Sequence, residues 1–495
     1  MPLSHNLVKC IEFLNRLSHF NQLKSNKPAA LLVFFLSGSL LTSCSYLPYQ
    51  AKPLDSQTIT AKLINKDPSS PEFNAYLKSQ GVTQLPIQSW GLNELTYCAL
   101  FFNPSLDVAK AKWVAMQASI NTANQRQIPS INGKLAHSNL KNGDRSPWAY
   151  GLGLDIPLET ANKRQIRTEL ASYEAEIAHI EVAQVAWQLR SQIATQLIDY
   201  HESVALAALL QKELDTQTAL LHMLDKRFKL GMLSSHEFNA AKLQQQKTLQ
   251  ALNAEQARSP ALHTKLAASV GLTSEKFNTL HLMPLDLDVT LNKILAYNLN
   301  SAKKPNSLQS AALLNRLDIR AALARYAVAE SKLKIEVAKQ YPDISLSPSF
   351  AFEFGDSIWS LGISSLFNLF NQNTHLNSSL IAEATRLREV EAAQFEALQA
   401  KVIGDLSQAQ AIYTATNSEI ARTQTNLATQ LQLDQQLQKQ FDSGLIDRLE
   451  LTSNQLITIS AEQNLLNTKF RNLRAAYAIE DVMQHPLYNS TDYEP

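Results

Sequence analysis

The residue types that most often carry out chemistry in proteins are present in this sequence, but none forms a catalytic or metal-binding motif. Eleven histidines and three cysteines are scattered through 495 residues. There is no Gly-x-Ser-x-Gly, no phosphate-binding loop and no His-Glu-x-x-His. Gly151 and Gly153 lie in a strand-like segment rather than before a helix, so they do not form a dinucleotide loop. We expect no enzyme activity, cofactor or metal site, and the net charge of +1 gives no reason to expect a nucleic acid partner.

Two glutamates follow glycine-containing turns at equivalent spacing. Glu237 lies three residues after a serine and Glu450 three residues after an aspartate, as in a capping box at a helix start. Gly231 and Gly444 precede them and are expected to adopt positive φ and to reverse the chain. Apolar residues beside these glycines indicate either a contact surface or packing within the hairpin: Leu230, Met232, Leu445 and Ile446.

The N-terminal residues 1–43 have the composition of a lipoprotein signal peptide. Basic residues without a run of acids occupy 1–28, and a short apolar run follows. The segment Leu41–Cys44 resembles a bacterial lipobox, in which the cysteine thiol receives a diacylglycerol and becomes the new N-terminus. An uncleaved anchor and an ordinary signal peptide with an incidental cysteine are the alternatives.

Two pairs of segments have the period-two alternation of β-strands. The clearer pair is 343–354 and 357–367, and the other is 131–140 and 148–156. One face of each is apolar and the other is small or polar; Asp155 and Glu353 lie on the polar face. Such strands suit a membrane β-barrel with a polar lumen, whereas a half-buried soluble hairpin is the alternative. Asp155 and Glu353 then face the lumen or lie at a solvated rim.

Most of the remaining sequence predicts long helices. Residues 159–226 contain neither proline nor glycine, so one helix of roughly 100 Å is expected there. A second long helix is expected over 378–440, and shorter helices over 90–127, 235–270, 308–340 and 447–484. Pro129, Pro157 and Pro342 are placed at junctions between strands and helices.

The two halves of the sequence repeat each other at an offset of 213 residues. At this offset, Pro129 matches Pro342, Gly231 matches Gly444 and Glu237 matches Glu450. Because the same offset fits both the start and the end of each half, the matches indicate internal duplication. The predicted organisation is the signal peptide 1–43, an N-terminal extended arm 44–89, a first repeat 90–273, a connector 274–307, a second repeat 308–485 and a polar tail 486–495. The predicted fold is mainly α with a small β part.

The order of these motifs resembles the TolC-type outer membrane efflux proteins, in particular the lipoprotein branch that serves tripartite efflux pumps. The resemblance spans residues 90–485 and rests on Trp90–Thr96 with Asn103–Leu106, Gly151–Leu158, Trp359–Ser364, and the turn motifs Arg227–Gly231 and Phe441–Leu445. It implies a homotrimer in which four strands per chain contribute to a 12-stranded outer membrane β-barrel. The long helical hairpins would form a periplasmic α-barrel below it.

The resemblance also implies roles for the turn residues. In this family, acidic side chains just past the second turn ring the closed mouth of the tube, and Glu450 aligns with that region. Three copies of Glu450 around a threefold axis would repel one another and attract cations. The family's second acidic position, one turn further, is Ser453 here, which departs from the pattern. The apolar turn residues would contact a periplasmic adaptor protein.

The function predicted from this resemblance is a passive conduit through the periplasm and the outer membrane for small molecules, either drugs or metal ions. An inner-membrane pump would supply the energy, and outer membrane lipids would surround the barrel and hold the lipid at Cys44. One alternative is the outer membrane channel of a type I protein secretion system. Another is a periplasmic coiled-coil scaffold lipoprotein with no pore.

Overall fold

The structure, a computed structural model, describes residues 48–139, 146–301, 313–314, 316–365 and 377–486. The chain divides into two units, 1–60 and 61–495. Helix α1 (Ser56–Ile64) begins in the first unit. The later helices are α2 (Pro71–Ser79), α3 (Leu92–Phe102), α4 (Pro104–Ala123), α5 (Lys163–Lys229), α6 (Ser235–Val270), α7 (Ser274–Phe277), α8 (Leu287–Ser301), α9 (Leu317–Ala338), α10 (Ser378–Asp442) and α11 (Arg448–Met483). The strands are β1 (Ser130–His137), β2 (Trp148–Leu158), β3 (Ile344–Glu353) and β4 (Asp356–Ser365).

Helices α5 and α10 are much longer than an ordinary globular helix. They contain 67 and 65 residues, which corresponds to roughly 100 Å each. Each starts after an asparagine in the left-handed region, Asn162 with φ 57° and Asn377 with φ 65°. Helix α6 packs back along α5, and α11 packs back along α10, so the second unit contains two long helical hairpins.

Polar residues interrupt the apolar seam of α5. Five buried residues of this helix recur every seven positions: Leu189, Gln196, Ser203, Leu210 and Gln217. A seven-residue spacing keeps one face turned toward neighbouring helices. The Ser203 hydroxyl donates to the Glu255 carboxylate of α6 over 2.7 Å. Such buried polar positions fix the register between helices better than an apolar seam alone.

All four strands form one antiparallel sheet in the order β1-β2-β3-β4. The central pairing joins β2 to β3, which are far apart in the chain, with Leu152 opposite Phe350 and Leu158 opposite Ile344. This order leaves β1 and β4 as the two edges of the sheet. The prediction of a mainly helical chain with four strands is therefore confirmed.

Two apolar clusters hold the helices of the second unit together. One lies among α5, α8, α9, α10 and α11 and includes Leu406, Phe470, Leu473 and Ile479. The other joins α2, α3, α5, α6 and α7 and contains Phe73, Leu95, Leu266 and Phe277, all fully buried.

The expected extended arm and connector both contain helices. Within 44–89, α2 buries Phe73 and Leu77, and the Ser70 hydroxyl caps it by accepting from the Phe73 backbone N–H. The arm is helical there because two apolar residues four positions apart can pack onto α3. The connector 274–307 contains α7 and α8, and its residues 302–307 lie outside the described ranges.

Some boundaries also differ from the prediction. The predicted end of β2 before Pro157 is wrong, because Pro157 pairs with Ser345 inside the ladder and the strand ends at Leu158. A proline lacks only the N–H donor, so the strand can continue past it. Helix α9 starts at Leu317, and the predicted helix start at 308 lies outside the described residues. Over the described ranges, no helix combines the length and the apolar character that a membrane span requires.

Candidate functional site

The two hairpin turns have the same backbone structure. Gly231 has φ +72° and Gly444 has φ +71°, the left-handed region that glycine adopts without strain. The N–H of Met232 donates to the Arg227 carbonyl and that of Gly231 to the Phe228 carbonyl, over 2.9 and 3.0 Å. The second turn repeats both bonds at the equivalent residues. This is the Schellman motif, which satisfies the last carbonyls of a helix and reverses the chain.

Apolar side chains project from both turns. Leu230, Met232 and Leu445 are 74–76% exposed, whereas Ile446 is partly buried. Inside the first hairpin, the rings of Phe228 and Phe238 stack with their centroids 5.1 Å apart. The three exposed side chains face solvent in the single chain, and they are candidates for contact with another protein.

The two repeat-related glutamates differ in their surroundings. The Glu237 carboxylate accepts the Ser234 N–H at 3.1 Å and its hydroxyl at 2.8 Å, and these bonds lower the Glu237 pKa. At the second turn, the Asp447 carboxylate accepts the Glu450 N–H at 2.9 Å. The Glu450 carboxylate is exposed and has no hydrogen bond or ion pair among the described residues. Only Glu450 therefore has a carboxylate free to face an ion.

An ion pair between the turns was not expected from the sequence. Arg227, in the last turn of α5, pairs with Asp447, which caps the start of α11. The Glu450 N–H, followed by the Arg227 guanidinium, lowers the Asp447 pKa. The sequence signal that could have indicated this ion pair is the opposite charge of Arg227 and Asp447, which lie at the two repeat-related turns. The contact joins the tip of one hairpin to the tip of the other.

We predict that Arg227→Ala loosens the two turns without unfolding the chain. Both side chains are about half exposed, and ion pairs of this kind contribute only about 0–1 kcal/mol. Amide hydrogen exchange at residues 443–447 should become faster, while the thermal midpoint should stay within about a degree or two. Lys229→Ala is the matched control, since Lys229 pairs with Asp225 of its own helix. Equal exchange in both variants would contradict the prediction.

The sheet has two chemically different faces. One face carries large apolar side chains that are mostly exposed in the single chain: Ile131, Leu135, Leu152, Trp359, Leu361 and Ile363. Apart from Pro157 and Ile358, the other face carries small or polar residues, and its hydroxyls bond across the strands. Ser349 and Ser360 are joined over 2.7 Å, and Ser347 donates to Asp155 over 2.9 Å. The predicted alternation on both strand pairs is therefore present in the structure.

Residues 95–271 match the sequence model of a family described as outer membrane efflux protein. This segment therefore resembles the outer membrane efflux proteins. It includes helices α3, α4 and α5, strands β1 and β2, and helix α6. The Gly231 turn and the Glu237 cap lie within it. No curated protein sequence matches the chain significantly.

Solved structures of outer membrane proteins share the fold over most of the chain. VceC of Vibrio cholerae is 17% identical with a TM-score of 0.62, over 80% of this chain and 97% of that chain. The MtrE outer membrane channel of Neisseria gonorrhoeae, in its open state, is 16% identical with a TM-score of 0.60, over 80% and 89%. The Campylobacter jejuni CmeC outer membrane channel is 12% identical with a TM-score of 0.59, over 90% and 95%. The predicted resemblance to TolC-type channels is confirmed.

A buried cation fixes the junction between the sheet and the helices in this efflux-protein fold. The Lys163 ammonium, at the start of α5, donates to the Tyr341 carbonyl over 2.6 Å and to the Asp343 carboxylate over 2.8 Å. The Thr160 N–H donates to the same carboxylate, and these bonds keep the Asp343 pKa low against the effect of burial. The junction therefore ties β3 of the second half to α5 of the efflux-protein segment. Pro342 lies beside it, whereas Pro129 directly precedes β1.

A series of ion pairs joins α5 of the efflux-protein segment to α11. Arg190 pairs with Glu480, Arg474 with Asp199 and Glu202, and Lys212 with Glu462. The Trp187 indole N–H donates to Asp481 over 2.9 Å. Sequence reasoning did not find these contacts. Cys44, the predicted lipid attachment site, lies outside the described residues.

Proposed function

We propose that this protein is the outer membrane channel component of a tripartite efflux system. It would give small molecules, such as drugs or metal ions, a passive route across the periplasm and the outer membrane. The observation that carries the proposal is a four-stranded sheet with one exposed apolar face and one polar face, attached to two helical hairpins whose longer helices are roughly 100 Å each. The efflux-protein family match over 95–271 supports it.

The open edges of the sheet support a homotrimer. Strands β1 and β4 are its edges, and unpaired edges invite pairing with another chain. Four strands are too few for a membrane barrel, since single-chain barrels start at eight. Cyclic pairing of β4 in one copy with β1 in the next gives twelve strands from three copies. Its apolar face would contact outer membrane lipids, together with the lipid on Cys44.

The hairpin turns are the proposed docking site for a periplasmic adaptor protein. Leu230, Met232 and Leu445 project from them with most of their surface exposed. An apolar group at such a tip is best explained by a partner that covers it. An inner-membrane pump would join the assembly through the adaptor and supply the energy.

Native mass measurement and single-channel recording of the purified, lipidated protein test this proposal. The expected result is a heat-resistant trimer that conducts in small, cation-selective steps in a planar bilayer. A monomer without conductance would refute the channel and favour a scaffold without a pore. Export of a protein rather than of small molecules would favour the type I secretion alternative.

We predict that Glu450→Gln reduces the cation selectivity of this channel. Its free carboxylate is available to a passing ion, and three copies around the axis would raise the local cation concentration. Glu237→Gln is the matched control, because Glu237 is held in its cap and glutamine can also complete a capping box. Reversal potentials in a KCl gradient measure the effect. Unchanged selectivity in Glu450→Gln would reject a role for this carboxylate.

A further inference from the structure

All the formally charged residues of the four strands lie on the same face of the sheet: Lys134, Asp155, Glu353 and Asp356. The register establishes this. Lys134 is opposite Gly151, which is opposite Ala351, two residues before Glu353. Asp356 is directly opposite Glu353. In the proposed trimer this face lines the lumen, where charged side chains tune ion selectivity.

Lys134 reaches across an entire strand to pair with Glu353. It lies on β1 and Glu353 on β3, yet its ammonium is 3.1 Å from the Glu353 carboxylate. The β2 residues opposite these two are Gly151 and Ala149, whose small size leaves room for the lysine chain. A Cβ on Gly151 would already lie 3.2 Å from the Phe350 carbonyl oxygen. Glycine at this position therefore permits both the strand pairing and the bridge.

The bridge neutralises one of three carboxylates. Asp155 accepts a hydrogen bond from the Ser347 hydroxyl, which leaves its charge in place. Asp356 has no cation partner among the described residues. The face therefore carries a net charge of −2 per chain, from one lysine and three acids.

We propose that Lys134 sets the ion selectivity of the strand-lined part of the pore by neutralising Glu353. This inference rests on the proposed channel function. Rings of charged side chains select ions by sign, so the net charge on this face favours cations. Lys134 limits that preference, and it acts in the barrel, independently of Glu450 at the hairpin turns.

Reversal potentials of the full-length protein in a KCl gradient around 0.1 M test the proposal. Lys134→Gln should raise the ratio of K⁺ to Cl⁻ permeability by about twofold or more, since one more negative charge per chain faces the ion. Asp356→Asn should lower it. Adding Glu353→Gln to Lys134→Gln restores the net charge and should restore the wild-type ratio, although the bridge is absent. Glu72→Gln, which removes an exposed charge of α2 outside the sheet, should change nothing.

The salt dependence and the pattern of conductance across the variants distinguish failure of the Lys134 proposal from failure of the channel function. The differences should shrink at 1 M KCl, because the screening length falls from about 10 Å to about 3 Å. Conducting channels whose ratio is the same in all the variants would overturn the role of Lys134 and leave the channel function intact. Absence of conductance in every variant, with a monomeric mass, would instead overturn the proposed function and this inference with it.

Discussion

Gly271→Ala should destabilise the second unit by about 3 kcal/mol or more. Gly271 ends α6 with φ +85°, a conformation that costs a residue with a side chain about 1–2 kcal/mol. An added Cβ would also lie 2.8 Å from the Phe102 carbonyl carbon and oxygen and 2.9 Å from the Asn103 Cα. These are backbone atoms at the break between α3 and α4, so they cannot move away as a flexible side chain would. Urea unfolding followed by circular dichroism at 222 nm measures the change.

Gly81→Ala is the control for the backbone conformation alone. Gly81 has φ +86°, and a Cβ added there meets nothing within 4 Å. Its variant should lose only about 1 kcal/mol. Similar losses in the two variants would show that the contact between Gly271 and the α3–α4 break does not hold the fold together.

Arg190→Met should destabilise the contact between α5 and α11 by about 1.5–3 kcal/mol, the contribution of a hydrogen bond to a charged group. The Glu480 side chain is 2% exposed and that of its partner Arg190 is 13% exposed. Removing the guanidinium takes a hydrogen-bonding cation away from a buried carboxylate, whose desolvation that cation helps to offset. The variant should show a lower urea midpoint, with earlier loss of protection on α11 in hydrogen exchange.

Lys212→Met provides the comparison on the same pair of helices. The Lys212 side chain is 54% exposed, so its ion pair with Glu462 should contribute at most about 1 kcal/mol. Adding Glu480→Leu to Arg190→Met removes the buried charge and should recover most of the lost stability. Equal losses for Arg190→Met and Lys212→Met would contradict a special role for the buried pair.

The turns show how much of the candidate site the sequence could predict. Gly231 and Gly444 were placed from composition and spacing, because a helix end with glycine needs only local contacts. The helix cap at Ser234 and Glu237 is likewise a contact over three residues. The capping-box pattern could not predict that the Glu237 carboxylate accepts hydrogen bonds whereas the Glu450 carboxylate does not. Ser234 and Asp447 both match the first position of that pattern. The difference arises because a serine hydroxyl donates to glutamate, whereas the Asp447 carboxylate cannot and pairs with Arg227.

The N-terminal region shows where local reasoning failed. Residues 44–89 have weak periodicity, so an extended arm was expected, yet Phe73 and Leu77 are among the most deeply buried side chains. Their helix is stabilised mainly by packing rather than by propensity, since a nine-residue helix is marginal by itself in water. The side chains that cover it, such as those of Phe102 and Phe277, lie in other helices.

The sequence by itself determined the features that depend on neighbouring residues: the period-two strands, the long helix without proline or glycine, the glycine turns and the duplication. Tertiary structure alone decided the contacts between distant segments. It brought β2 beside β3, Lys134 to Glu353 across a strand, Arg227 to Asp447 and Arg190 to Glu480. The physical reason is that periodicity and capping act over a few residues, whereas these pairs depend on how whole hairpins pack, which many side chains decide together.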